Sequence, residues 1–215
     1  MAIDPTLRDA LSAVTPASLA RALTRAGVKA FSPRGLAGRG ERAIGEAYTL
    51  RMIPARGDAV GDLAAAVDAI PEGAIVVIDT AASGLALPFG AILAARLGQC
   101  GAAGLVTDAA LPEVVGLPVW SAPEAAAGTL ALVSVQEPVA CGGAAIHPGD
   151  IVVCTESGIV ALPVALAKRV ALEAVEQQRL DLWIQREAER GESLASLLPP
   201  DAAALARFEA ETKPA

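Results

Sequence analysis

Residues Gly73–Glu113 read GAIVVIDTAASGLALPFGAILAARLGQCGAAGLVTDAALPE, and this stretch decides the fold. An apolar run rich in β-branched residues, Ala74–Ile78, delivers the chain to Asp79. A loop of small residues follows, Thr80–Gly84, and Pro88-Phe89-Gly90 then opens an Ala/Leu-rich segment that ends near Gly98–Gly101. A second apolar run, Leu105-Val106-Thr107, stops at Asp108, with Glu113 just beyond it. The order is strand, loop, helix, strand, acidic turn. Two buried strands joined by a helix imply a parallel crossover, since an antiparallel pair needs only a short turn. Functional groups in such units collect where strands end and helices begin. Asp79, the helix start at Gly90–Ile92, Asp108 and Glu113 are therefore the first candidates.

Upstream of this unit, Ala43–Ile53 alternates Tyr48, Leu50 and Met52 against Thr49 and Arg51, a strand pattern in which Arg51 is a solvent-facing strand residue or a substrate-facing cation, the pattern favouring the former. Asp62–Ile70 reads as a short helix. Near the N-terminus, Thr15 followed by Pro16 places a cap and then proline at the first helical position; Leu19, Leu23 and Ala26 share a face, and Gly27 ends the helix. Phe31–Gly40, FSPRGLAGRG, reads as a solvated connector. The alternative, an anion-contacting loop carrying its two arginines, lacks a helix start beside it in the sequence. Downstream, Pro118-Val119-Trp120, Leu130–Val135, Ile151–Cys154 and Ile159–Leu162 read as strands of a layered or barrel-like β-unit with short turns. His147, the only histidine, sits in one of those turns beside Pro148-Gly149, with no second residue to complete a dyad. From Pro163 the pattern is helical to about Arg190, with shorter helical pieces at Ser193–Leu198 and Ala202–Glu211. Trp183 and Phe208 are large apolar residues on this charged arm, and they predict docking on the chain's own domain or on a neighbouring subunit. Residues 1–162 thus read as an α/β domain and 163–215 as a C-terminal helical extension.

The totals exclude several classes. At 53% apolar residues over 215 positions, the chain can bury a sizeable core, so global disorder is out. A net charge of −7 and six aromatic residues argue against nucleic-acid binding, which needs a basic surface and stacking faces. Gly, Pro or charge interrupts every apolar run short of membrane-spanning length, and Met1–Leu11 has no signal-type apolar core, so the expectation is a cytoplasmic protein with no membrane partner. Cys100, Cys141 and Cys154 show no CxxC spacing and read as buried free thiols. No internal repeat and no Walker, Rossmann, HExxH or GxSxG motif is present.

Several segments, in order, resemble one known family, which joins the regulator of ribonuclease activity A (RraA) to the 4-hydroxy-4-methyl-2-oxoglutarate (HMG/CHA) aldolases. Gly73–Asp79 is similar to its segment before the loop, Gly90-Ala91-Ile92-Leu93 to its helix start, and Gly101–Ala109 to its second strand. Pro138–Asp150 and Ser157–Pro163 are similar to its later glycine-rich turns, and Arg190–Leu194 with Pro199-Pro200 resembles the tail of longer members. The resemblance implies an α/β fold of the swivelling β/β/α type, an RraA-like αββα sandwich, with the C-terminal helical arm added. It also implies a homotrimer or homohexamer with sites between subunits. In the aldolase branch an acid stands at the helix start; a later Arg-Asp pair holds the substrate carboxylate and, through its water shell, a divalent metal. The same count here runs from Ala91 across Ile92–Leu111 to Pro112-Glu113. Only the metal position keeps a carboxylate. Proline supplies none of an arginine's directed hydrogen bonds, a loss of about 2–5 kcal/mol in a desolvated site. The missing acid removes a proton relay worth roughly 10²–10⁴ in rate.

Two functions follow from the resemblance. The first is a carbon–carbon lyase dependent on Mg²⁺ or Mn²⁺, acting on a 2-oxo acid by aldol cleavage or oxaloacetate-type decarboxylation, with an altered substrate or reduced activity. In that reading Glu113 holds the metal and Asp108 orients beside it as the second catalytic residue. The backbone of Gly90, Ala91, Ile92 and Leu93, with Pro112, then lines the substrate carboxylate site. The alternative is a non-catalytic RraA-like regulatory or protein-binding homologue. Light scattering in dilute neutral buffer should give three or six times the chain mass; a clean monomer would count against a site built between subunits.

Overall fold

The computed structural model describes residues 3–56, 63–112, 114–126 and 128–212. Its centre is the expected crossover. Strand β3 (Ile75–Asp79) runs parallel to β4 (Gly104–Ala110), with Ile75 opposite Gly104 and Ile78 opposite Thr107, and helix α4 (Gly90–Gln99) connects them. All of β3 is buried, and each of its Val and Ile side chains stabilises the fold by about 1.5–3 kcal/mol.

The other strands are β1 (Ala37–Arg39), β2 (Ala43–Pro54), β5 (Val119–Ala122), β6 (Leu130–Val135), β7 (Ile151–Thr155) and β8 (Gly158–Leu162). They form one mixed sheet in the order β1-β5-β4-β3-β2-β7-β8, with β6 also on β2. The downstream strands are thus not a separate β-unit. β2 ties them in, because its first residues, Ala43–Glu46, pair antiparallel with β7 while Ala47–Arg51 pair in parallel with β3. The Phe31–Gly40 connector also departs from expectation: it contains β1, which pairs with β5 through Ala37–Arg39.

Alternation along the strands sorts the side chains between three clusters. Ala43, Ala47, Ile75, Val77, Val106, Trp120, Val152, Cys154, Ile159 and Ala161 face an interior shared by the strands. Their neighbours Val76, Ile78 and Leu105 face α3 (Leu63–Asp68) and α4. Ile44, Val153, Val160 and Leu162 face helices α1 (Pro5–Ser12), α2 (Pro16–Arg25) and the first half of α5 (Val164–Glu189). The Trp120 indole N–H donates to the Thr155 carbonyl at 2.8 Å, drawing the two ends of the strand order together into a nearly closed sheet.

The far half of α5 leaves this core and is covered by α6 (Leu194–Leu197) and α7 (Ala202–Thr212). Trp183 and Phe208 dock on each other, with ring centroids 5.9 Å apart, so the arm carries its own small core. Buried Glu187 holds it shut through Arg190 and Arg207. No helix among the described residues is long and apolar enough to cross a membrane.

Gly45 is the point where β2 passes from β7 to β3. A Cβ there would lie 2.4 Å from the Gly73 carbonyl oxygen and 2.8 Å from the Ile75 nitrogen, both backbone atoms that cannot swing aside. Gly45→Ala should therefore cost about 1–3 kcal/mol or more. That corresponds to a melting temperature lower by roughly 2–4 °C per kcal/mol. An unchanged melting curve would show that the close approach is not a constraint.

Candidate functional site

Asp79 is the last residue of β3 and lies on the inward-facing side of its alternation, at 3% exposure. The register sets Arg51 of β2 directly opposite it, and the Arg51 Nε lies 3.5 Å from Asp79 Oδ2. Arg51 also donates to the Pro138 carbonyl at 2.6 Å. Its expected solvent-facing role is corrected accordingly: half-exposed, it braces one end of the strand interior. Asp79 Oδ1 accepts from the Ala81 N–H at 2.8 Å, and Oδ2 from the Ala140 N–H at 3.2 Å.

β4 continues past Asp108 to Ala110, so Asp108 lies within the strand and not in a turn at its end. Its Oδ1 accepts from both the N–H and the hydroxyl of Thr80, at 2.6 and 2.8 Å, and its Oδ2 accepts from the Ala82 N–H at 2.9 Å. Every one of these donors belongs to the loop after β3. That loop needs them. Ala81 and Ala82 are non-glycine residues with φ of 56° and 50°, a conformation that costs of order 1 kcal/mol each. The two aspartates hold a strained turn in place, Asp108 through both oxygens and Asp79 through Oδ1.

Cys141 packs between these groups, with its thiol directed at the Ile78 carbonyl. Burial pushes the thiol up, and the Asp108 and Asp79 carboxylates push it further, so it stays protonated and is no nucleophile. Cys154 is buried and likewise pushed up, whereas Cys100 is only half-buried, which corrects the expectation of burial for all three. His147 is exposed; its backbone N–H donates to Asp150, and its ring completes no dyad among the described residues.

The second half of the site is the start of α4. The segment before it is stitched to the end of β4: Leu87 N–H donates to the Ala110 carbonyl at 2.9 Å, and Ala110 N–H to the Leu85 carbonyl at 3.1 Å. The chain then turns at Phe89, with φ 53° and no side-chain cap. Of the four amides assigned to a substrate, Leu93 has already donated its N–H to the Phe89 carbonyl, and its side chain is buried in the core. The N–H groups of Gly90, Ala91 and Ile92 find no acceptor among the described residues, as expected of a first helical turn. The structure does bring this turn to the 111–112 segment: a Cβ on Gly90 would meet Leu111 at 2.7 Å and the Pro112 ring at 3.2 Å. Ala91 and Ile92 face outward.

Glu113 lies outside the described residues. Among those described, no three His, Cys, Asp or Glu residues converge as a zinc or calcium cage requires. Hydrated Mg²⁺ asks for less, one or two carboxylates with water and substrate oxygens. Asp79 and Asp108 both accept hydrogen bonds through each carboxylate oxygen.

Two arginines that the sequence reads first as solvent-facing and as part of a connector are engaged by the fold. For Arg51 the register explains it, since Arg51 is the partner of Asp79 across β2 and β3. For Arg39 the guanidinium reaches the Leu111 carbonyl and the Ser121 hydroxyl, both at 2.8 Å, across a strand pairing that no local pattern shows.

Asp108→Ala would leave two backbone N–H groups and a buried hydroxyl without an acceptor. A destabilisation on the order of 3 kcal/mol is expected in urea unfolding. Asp108→Asn should lose less, because it keeps one carbonyl oxygen. Unfolding midpoints equal to wild type for both would remove the loop-holding role.

The comparisons with known proteins agree with this architecture. A family model described as RraA-like, Aldolase/RraA, matches residues 5–161. RraAS2 of Streptomyces coelicolor, an unusual member of the RNase ES inhibitor RraA protein family, superposes with a TM-score of 0.73 at 24% identity, covering 86% of this chain and 98% of its own. An uncharacterized protein from Pseudomonas syringae pv. tomato superposes with a TM-score of 0.74, also at 24% identity, covering 91% of this chain and 94% of its own. At that identity the two structures speak for the fold alone. The family match spans well over half of the sequence: the chain belongs to the RraA-like family of aldolases and RraA proteins, and it carries that family's mixed α/β fold with a long C-terminal helix.

Proposed function

We propose that this chain is a divalent-metal-dependent lyase that cleaves a carbon–carbon bond in a 2-oxo acid, by decarboxylation of an oxaloacetate-like diacid or by aldol cleavage. The observation that supports it is the packing of the uncapped α4 start on Leu111-Pro112. This contact sets three unspent amides beside the segment that leads into Glu113. A divalent ion held by Glu113, when bound, would supply Lewis-acid polarisation of the 2-oxo group. The chain's own contributions are separate. The Gly90, Ala91 and Ile92 amides donate to a substrate carboxylate. Asp108 and Asp79 keep the 80–82 loop in its strained course. Pro112 gives the substrate no charged contact, and Ala91 gives no proton relay, so decarboxylation, which asks less of a relay than aldol cleavage, is the favoured reaction. The assembly in this reading is a homotrimer or homohexamer.

One observation favours the second reading, a regulatory or protein-binding relative. Both described carboxylates of the site are consumed by the fold itself, while Phe89 and Ile92 stand exposed beside it at 64% and 71%.

Mg²⁺ or Mn²⁺ should raise the melting temperature and support turnover of oxaloacetate, and Glu113→Ala should abolish both effects. Installing Pro112→Arg together with Ala91→Glu should raise the rate. If metal neither binds nor matters, and the double substitution yields no activity, the lyase reading fails and the regulatory one stands.

A further inference from the structure

Phe89 and Ile92 are exposed at the α4 start, but they do not form a flat patch. With Pro88 and Leu93 beside them, and Leu63 and Val67 across from them on α3, they wall an open cavity of about 490 Å³. That volume falls in the range of small-ligand sites. The two charged residues on its lining, Arg96 and Asp68, pair with each other at 2.8 Å. No uncompensated charge is left on the wall, so the cavity suits an uncharged, apolar group. Ile92 belongs to both parts of the site. Its N–H is one of the three α4 amides without an acceptor among the described residues, and its side chain is cavity wall. Phe89, where the wall meets the helix start, is held at φ 53°. A bulky residue adopts that conformation at a cost, and strain of this kind collects at ligand sites.

We propose that this cavity takes an apolar substituent on the third carbon of the 2-oxo acid, so that the substrate class is an alkyl- or aryl-substituted oxaloacetate, with oxaloacetate its poorer parent. This rests on the lyase reading above, which places the acid's carboxylate on the α4 amides. A concave apolar wall continuous with those amides fits a small acid with an apolar side group better than a flat protein surface. Decarboxylation breaks the bond between carbons 3 and 4, releases CO₂ and leaves the electron pair on carbon 3 as the enolate, to which a proton from solvent adds. The isopropyl member of the class thus yields 4-methyl-2-oxopentanoate where oxaloacetate yields pyruvate. These two products differ by three apolar carbons and no polar atom. Each methylene fully buried is about fourfold in affinity, so half-burial of three in an open cavity gives about tenfold.

The test is calorimetric titration of 4-methyl-2-oxopentanoate and of pyruvate, with Mg²⁺ present, into wild-type protein, Ala64→Trp and Ile92→Ser. Ala64 and Ile92 are exposed lining residues, so neither substitution touches the buried core. Wild type should favour 4-methyl-2-oxopentanoate about tenfold. Ala64→Trp, which fills the cavity, should bring the ratio to about one, and Ile92→Ser, which makes its wall polar, should lower it severalfold. The inference is overturned if wild type binds the two acids equally, or if the substitutions leave the ratio unchanged or weaken both acids alike. It is also overturned if either substitution reduces the assembly mass in light scattering, because the groove is then a contact between copies. Metal-dependent oxaloacetate turnover with no preference between the two acids sinks the apolar subsite and spares the lyase. Wild-type protein that shows neither metal response nor binding of either acid sinks both.

Discussion

Strand β2 has to serve two sets of neighbours, and the rest of the molecule depends on its doing so. Ala43–Glu46 pair with β7, Ala47–Arg51 with β3, and Leu50–Pro54 with β6. A strand can change partners in this way only if the backbones come very close at the crossing. Gly45 permits that approach, with the Gly73 carbonyl and Ile75 nitrogen occupying the space of a side chain. Because alternation continues unbroken through the crossing, Ala43 and Ala47 both point into the shared interior. Ile44 points out to α1 and α2, while Tyr48, Leu50 and Met52 point out to α3 and α4. One strand thereby sets the inner and outer faces of both halves.

The same geometry makes the interior polar at one end. The residues that follow Val77 and Val106 on the inward side are Asp79 and Asp108, and Arg51 arrives on β2 in register with Asp79. Buried carboxylates are tolerable only when hydrogen-bonded. Here most of the donors are backbone amides of the loop that leads to α4, with the Thr80 hydroxyl and the Ala140 N–H beside them, so satisfying the aspartates and shaping the loop are largely one event. The loop's course and the two rungs between residues 85–87 and Ala110 then deliver the α4 start to Leu111-Pro112. Asp79 and Asp108, which the strand ends display, are thus engaged by the fold itself, and the loop they hold leads to the first amides of α4.

Much of this was legible in the residues. The crossover from Ala74–Ile78 through the helix to Leu105–Thr107 follows from apolar runs and small-residue punctuation, and β3, α4 and β4 fall within a few residues of those bounds. The Thr15 cap is where the pattern puts it, its hydroxyl accepting from the Ser18 N–H. Family membership was legible too, because the order and spacing of many short segments carry it. The short strand β1 was not: Ala37-Gly38-Arg39 has no apolar alternation, and only its pairing with β5 makes it a strand. Trp183 and Phe208 were marked as docking residues, but nothing in their spacing says that they meet each other.

The sequence by itself determined the class of fold, the family, and which residue types stand at the helix start and at positions 112 and 113, since those are properties of pattern and identity along the chain. Tertiary structure alone decided what the charged groups do. Whether Asp108 is free or saturated depends on where a loop from another strand places its amides, and whether Arg39 faces solvent or the Leu111 carbonyl depends on a pairing between distant segments. Hydrogen bonds act over about 3 Å, and no local pattern encodes which distant donors arrive within that distance.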